Sequence, residues 1–244
     1  MPPEPVDPST TTALFVGPTR QGSTSSRSQK AEEDSVVEMR VLELLMARLC
    51  HELSAPIAAI NNGVELLADE DPDFASAPAK SFSRDAALLI GESARRAVSR
   101  LQFYRFAYGF GRDNAIVGPA PHELVAGLFA ASRIVCDYPG DVRILPLNWQ
   151  KLACNLVSVG SETLPRGGRL TLIGAPLSLE ATGATADLFP GTSAALTLTM
   201  PIAELTSRTV QAFFAGLLAK ALGYRLTGTA EPGRVRITLL ASAA

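Results

Sequence analysis

The stretch LELLMARLCHELSAPIAAINNGVELL, residues 42–67, decides the first half of the fold. Its apolar residues recur at alternating intervals of three and four, which is the spacing of one face of an α-helix. They are Leu42, Met46, Leu49, Leu53, Ile57, Ile60, Val64 and Leu67. The spacing predicts a long amphipathic helix from about Ser35 to Ala68.

A second helical pattern runs from about Phe82 to Tyr108, after an acidic, proline-containing break at 69–78. Two long helices joined by a short loop are typical of an antiparallel hairpin. A hairpin alone leaves much of its apolar surface uncovered and is marginally stable. We therefore expect two copies to pair as a homodimer with a four-helix bundle.

From about residue 119 the pattern changes to short helices interleaved with strands. Turns are indicated at Gly167-Gly168 and at Glu231-Pro232-Gly233. Helices are predicted at 121–134, 149–164 and 206–222, strands at 169–173, 224–228 and 234–240, and apolar alternating segments near 177–179 and 194–200. Helices on one side of a mainly antiparallel sheet make an α+β sandwich.

The chain divides into three parts by composition. Residues 1–35 are rich in Pro, Ser and Thr with one small apolar cluster, so we expect a disordered tail. A hairpin domain is expected at 36–112 and a sandwich domain at 119–244. The predicted fold class is α+β.

Charge and composition exclude several classes of function. The chain has 22 basic and 24 acidic residues, so it lacks the cationic field of a nucleic-acid binder. No apolar run approaches the ~20 residues of a membrane span, and the N-terminus does not resemble a secretory signal. Cys50, Cys136 and Cys154 have no disulfide-framework or metal-ligand spacing. We expect a cytoplasmic protein that binds neither nucleic acid nor membrane.

His51 is the candidate nucleophile. At ~100° per residue it lies about 165° from the mean direction of the apolar stripe, so its ring points to solvent. A neutral imidazole nitrogen is a competent nucleophile near neutral pH. Glu52 could hold the tautomer or accept the proton, and Pro56 would bend the helix just below the histidine.

A second histidine serves as an internal control. His122-Glu123-Leu124 repeats the first three residues of the His51 motif, but Gly127 stands where the proline would be. The repeat lies at the start of a predicted short helix, where polar caps are common. We interpret His122 as structural.

Residues 51–56, His-Glu-Leu-Ser-Ala-Pro, resemble the H-box of two-component histidine kinases. Longer runs are more narrowly similar to the ChpT family of histidine phosphotransferases, and they lie at 47–52, 58–67, 93–96 and 101–109. The resemblance covers about residues 40–240. It implies a DHp-like dimeric hairpin with His51 as phosphoacceptor, followed by a degenerate histidine-kinase-type ATPase-like sandwich.

Residues 151–170 look like the N-box region of a kinase ATP-binding domain. In the kinases a second asparagine, four residues after the first, helps to hold magnesium. Here that position is Val159, which cannot ligate a hard cation. The sequence also lacks the Asp-x-Gly-x-Gly loop, for which 180–184 is a poor substitute, and a glycine-rich lid before the last helix. We expect no ATP use and no cofactor on this chain.

The resemblance also implies the partners. His51 would take a phosphoryl group from the receiver aspartate of a CckA-like hybrid histidine kinase and pass it to CtrA-like and CpdR-like response regulators. The receiver would supply the magnesium. Ala55, Ala58 and Asn62 share the direction of His51 and are candidate docking residues. Many kinases carry Thr or Asn at the position of Ala55, so we expect little water-directing phosphatase activity.

Two other functions stay open at this point. One is an ATP-using histidine kinase with a divergent pocket, which nucleotide binding would reveal. The other is a non-catalytic dimeric adaptor for response regulators, in which His51→Ala would behave like the wild type. A DNA-binding regulator has no helix-turn-helix or basic stripe in the sequence to support it.

Overall fold

The computed structural model describes residues 39–68, 77–109 and 118–241, with the backbone alone described at 77–82. Residues Glu38–Ala244 belong to one compact unit. The tail predicted at 1–35 lies outside the described residues. None of the described helices is long and apolar enough to cross a membrane.

Two long helices form the N-terminal part of this unit. Helix α1 spans Met39–Ala68 and helix α2 spans Ala77–Tyr108. Helix α2 begins earlier than predicted, because Pro78 fits the first turn of a helix, where the backbone N–H has no helical partner. A Cβ on Gly63 would lie 2.6 Å from Ile90 Cγ1, so the two helices meet too closely there for a larger residue.

The second part is built on a five-stranded sheet of order β1-β2-β3-β5-β4. Its strands are β1 Ile134–Asp137, β2 Gly168–Gly174, β3 Leu177–Thr182, β4 Tyr224–Glu231 and β5 Arg234–Ala241. Strands β1 and β2 pair in parallel, and the other pairs are antiparallel. Gly233 has a φ of +75° in the turn between β4 and β5, a conformation that glycine adopts without strain.

Five further α-helices lie within the described residues. They are α3 Pro121–Phe129, α4 Gly140–Arg143, α5 Leu147–Glu162, α6 Thr192–Leu196 and α7 Val210–Ala221, with a 3-10 turn at Ile202–Glu204. Helices α5 and α7 contribute Leu152, Leu156 and Phe214 to the same buried core as Leu170 and Ile237 of the sheet. The predicted α+β class is confirmed.

Other predicted elements also differ from the structure. The helix predicted at 121–134 ends at Phe129, and Ile134 begins a strand that was not predicted. The segment 194–200 was predicted to alternate like a strand, but it begins within α6. There Thr192, Ala195 and Leu196 are buried at helical spacing, and Ala and Leu favour helix.

The last helix begins at Val210 rather than at Thr206. The backbone N–H of Thr206 donates to Thr209 Oγ1 over 3.0 Å, and the two hydroxyls lie 3.2 Å apart. These side-chain bonds hold the preceding turn in a non-helical arrangement.

Candidate functional site

His51 lies exposed on α1, and the three predicted docking residues Ala55, Ala58 and Asn62 are exposed as well. At ~100° per residue these three residues point within about 40° of the direction of His51. The four side chains therefore form one open strip about three turns long, which we call the His51 strip.

Helix α1 presents two other faces. Its buried residues Val41, Leu45, Pro56 and Gly63 lie roughly 100° from His51 and face the rest of the fold. Leu42, Met46, Ile57 and Val64 are each about half exposed and lie roughly 145° from His51 on the other side. The apolar stripe predicted from the sequence is thus only partly covered in one copy of the chain, because its other four residues are of intermediate exposure.

Glu52 faces α2 rather than His51. The guanidinium of Arg100 on α2 donates to the Glu52 carboxylate, and the two side chains are 35% and 24% exposed, respectively. A carboxylate held in this way has a fixed direction and a stabilised charge. The pair anchors the turn of α1 that carries His51 to the facing helix.

A second ion pair lies one turn above His51. Arg48 Nη2 lies 2.6 Å from Glu162 Oε1 at the end of α5, and the Arg48 side chain is only 10% exposed. Burial raises the pKa of the Glu162 carboxyl, and the adjacent Arg48 guanidinium only partly offsets this.

The segment before α7 is also held against α1. Arg40 Nη2 donates to the backbone oxygen of Leu205 over 3.2 Å, and Arg48 Nη1 donates to that of Ser207 over 3.5 Å. Together with the pair to Glu162, these bonds fix the upper turns of α1 to the sandwich. His51 therefore lies one turn beyond these contacts, and the His51 strip continues from there, exposed, towards the C-terminal end of α1.

The first N-box asparagine, Asn155, is fully buried and its hydrogen-bonding groups are occupied. Its Nδ2 donates to the backbone oxygens of Ala107, at 2.9 Å, and Lys151, at 2.8 Å. Its Oδ1 accepts from Gln211 Nε2 at 2.8 Å, and Gln211 Oε1 accepts from the Tyr108 hydroxyl at 2.5 Å. This network joins the end of α2 to α5 and α7.

The second N-box position also faces the interior. Val159 is 3% exposed and belongs to the core.

Burial raises the pKa of the Tyr108 hydroxyl in the Asn155 network, which stays protonated and serves as the donor to Gln211. Among the described residues there is no cluster of three His, Cys, Asp or Glu side chains that could hold a metal ion.

His122 lies half-buried in the first turn of α3, with its ring 6.3 Å from that of Tyr138. The backbone N–H of Ala120 donates to Glu123 Oε2 at 2.8 Å, which satisfies a free donor at the start of the helix. These surroundings are those of a helix start rather than of an open site.

Comparisons with known proteins agree with this fold. Residues 120–233 match the family model of the histidine phosphotransferase C-terminal domain. Over 132 residues the chain is 35% identical to the protein phosphotransferase ChpT of Brucella abortus (strain 2308). The aligned segment covers 53% of this chain and 58% of that protein. The match therefore spans somewhat more than half the length of that relative.

A solved structure gives a longer match. The 1.7 Å structure of a bacterial phosphotransferase superimposes with a TM-score of 0.65 and 26% identity, covering 84% of this chain and 98% of that one. Residues 120–233 thus match a histidine phosphotransferase domain, and the chain is similar in sequence to a ChpT protein and in fold to a bacterial phosphotransferase.

Proposed function

We propose that this chain carries a phosphoryl group on His51 and passes it between receiver-domain aspartates without using ATP. The observation that carries the proposal is that His51 is exposed while its helix is held in place on both sides. The Glu52–Arg100 pair holds the next residue, and the Arg48–Glu162 pair holds the preceding turn. A nucleophile on a helix fixed on two sides is positioned for in-line attack.

The chemistry needs little from this protein. The lone pair of a neutral imidazole nitrogen attacks phosphorus, and the bond to the donor aspartate breaks, which leaves a carboxylate on the receiver. Transfer to the next receiver reverses these bond changes with a second aspartate as nucleophile. Magnesium on the receiver stabilises the charge of the transferred group.

The Asn155 network supports independence from ATP. Asn155 is fully buried and its amide already binds Ala107, Lys151 and Gln211, so it is not open to a metal-bound nucleotide. The position that would hold the second magnesium ligand is the buried Val159. Both features favour a phosphotransferase over a kinase.

The exposed part of the apolar stripe of α1 supports a homodimer. Leu42, Met46, Ile57 and Val64 are half exposed, and Leu101 of α2 lies exposed on the same side of the hairpin. Pairing with a second copy would bury this surface and complete a four-helix bundle. The His51 strip faces away from it and stays open.

The His51 strip would receive the partners. Ala55 and Ala58 are small, so a receiver helix can approach α1 closely below the histidine. The partners would be the receiver of a CckA-like hybrid histidine kinase and cytoplasmic response regulators of the CtrA-like and CpdR-like kinds.

Transfer of radiolabel from a phosphorylated receiver domain tests this function. Wild type, His51→Ala and His122→Ala are compared, and labelled Mg-ATP is offered in a parallel reaction. We expect label on the wild type and on His122→Ala, none on His51→Ala, and none from ATP. Label arriving directly from ATP would make the protein a kinase. Equal labelling of His51→Ala and wild type would contradict the role of His51, and a protein that takes no label but binds the receivers would be an adaptor.

A further inference from the structure

A groove of about 690 Å³ runs between α2 and the C-terminal end of α3. One wall consists of α2 side chains between Glu92 and Arg100, and the other is formed by residues 127–132. A Cβ on Gly127 would lie 3.3 Å from Ser99 Oγ, so α3 lies directly on α2 at the upper end. The groove extends from this contact along the α2 residues 92–98 and past residues 128–132.

The groove lies beside His51. Arg100, which lines it, is the residue that binds Glu52, the neighbour of His51. Around the antiparallel pair, Arg96 and Ser99 of α2 point to the same side as His51, whereas Leu101 points to the side of the apolar stripe. Packed helices are about 8–10 Å apart, so a partner on the His51 strip also reaches this groove.

The charge of the groove is positive. Arg95, Arg96 and Arg100 line it, against a single acidic residue, Glu92. Arg96 lies 3.8 Å from Glu92 in an exposed pair, which is weak because water screens it. Arg95 is exposed and makes no ion pair with another described residue. At least one guanidinium is thus available to an incoming anion.

We propose that this groove binds an acidic surface of the receiver domain that docks on His51. The proposal rests on the proposed function. A receiver holds magnesium beside its phosphoacceptor aspartate with oxygen ligands, chiefly carboxylates, so the surface that it turns to His51 is acidic. Complementary charges at the rim of such a contact raise the association rate and select partners.

The arrangement also agrees with a dimer. A second copy on the apolar stripe covers the opposite side of the hairpin, so the arginine-lined flank of α2 remains accessible. Leu128 and Ala131 give the groove an apolar part beside its charges, as in ordinary protein contacts.

Single-turnover phosphotransfer tests the proposal. The full chain is phosphorylated with phosphoramidate, and transfer is followed to the receiver domain that accepts fastest from the wild type among those of the source genome. The variants are Arg95→Glu/Arg96→Glu, the charge-retaining Arg95→Lys/Arg96→Lys, and Arg225→Glu, which reverses an exposed arginine on β4. Thermal unfolding verifies that all three fold.

We expect the second-order rate constant of Arg95→Glu/Arg96→Glu to fall by roughly tenfold at low salt and to approach the wild-type value at high salt. Its rate at saturating receiver should be unchanged, and the other two variants should stay within about twofold of the wild type. Equal rate constants for Arg95→Glu/Arg96→Glu and Arg225→Glu would overturn the groove proposal alone. A wild type that transfers to no receiver would overturn the proposed function and the groove with it.

Discussion

The carboxylate of Glu52, the residue next to His51, is bound by the guanidinium of Arg100 on the facing helix. The residues are 48 positions apart in the chain, so the bond fixes the turn of His51 to a distant part of the sequence that packs beside it. It also turns the Glu52 carboxylate towards α2 and away from the imidazole.

This pair predicts a modest, coupled effect on stability. Glu52→Gln and Arg100→Gln should each lower the free energy of unfolding by about 1 kcal/mol or less, because the pair is partly exposed. The double variant should lose no more than either single one, since both remove the same interaction. Urea unfolding measures this cycle, and additive losses would mean that the residues act independently.

The same pair predicts how Glu52 acts in phosphotransfer. If Glu52 orients the turn while bound to Arg100, Glu52→Gln should slow transfer by about tenfold or less. A residue that removes a proton in the transition state typically contributes ~100-fold or more. Single-turnover rates decide between these roles, and a loss of that larger size would assign Glu52 to direct proton transfer.

The Asn155 network predicts a larger loss of stability. Asn155→Ala leaves the Gln211 amide and the Ala107 carbonyl buried without this partner, which should lower the free energy of unfolding by roughly 2 kcal/mol. Asn148→Ala, at an exposed position in the first turn of the same helix, should cost much less. Similar losses for the two variants in urea unfolding would contradict the role of the network.

Adjacent residues on α1 separate dimerisation from docking. Ile57→Glu places a charge in the apolar stripe and should convert a dimer into a monomer, whereas Ala58→Glu should leave the dimer intact and slow transfer to a receiver. Sedimentation equilibrium gives the oligomeric state, and single-turnover transfer gives the rate. A wild-type monomer, or a dimer that tolerates Ile57→Glu, would refute the bundle.

The buried Glu162 carboxyl predicts a dependence of stability on pH. Its pKa is raised above 4.5 in the folded state, so the folded protein takes up this proton before the unfolded chain does. The destabilising effect of its charge is present above the raised pKa and is relieved as the pH falls towards 4.5. Relative to Glu162→Gln, wild type should gain stability between pH 7 and pH 5 in urea unfolding, and a relative loss would show that Arg48 lowers the pKa instead.

The hairpin could be predicted because it depends on local spacing. The alternating spacing of three and four positions between apolar residues identified α1, and the same geometry placed His51 on an exposed face. The spacing did not reveal which face of α1 is buried. Pro56 and Gly63 lie on that buried face, but neither belongs to the pattern of large apolar residues. Gly63 is required there by the close approach of Ile90.

Long-range pairings account for most of what was missed. Arg100 and Gln211 lie in no motif, and Arg48 lies in the ChpT-like run at 47–52 without indicating its partner. The partners of all three are distant in the chain. Strand β1 is only four residues long, and its parallel pairing with β2 depends on contacts more than thirty residues away. The helix at 192–196 was misread because its small residues alternate like a strand until the burial of Thr192, Ala195 and Leu196 is known.

The most direct test of the account locates the phosphate. The protein is phosphorylated by a phospho-receiver, mapped by tandem mass spectrometry under conditions that preserve phosphohistidine, and then chased with an unphosphorylated receiver. We predict phosphate on the His51 imidazole that disappears as the receiver gains it, with His122 unmodified. Phosphate on another residue, or phosphate on His51 that no receiver removes, would contradict the claim that His51 carries the phosphoryl group between receivers.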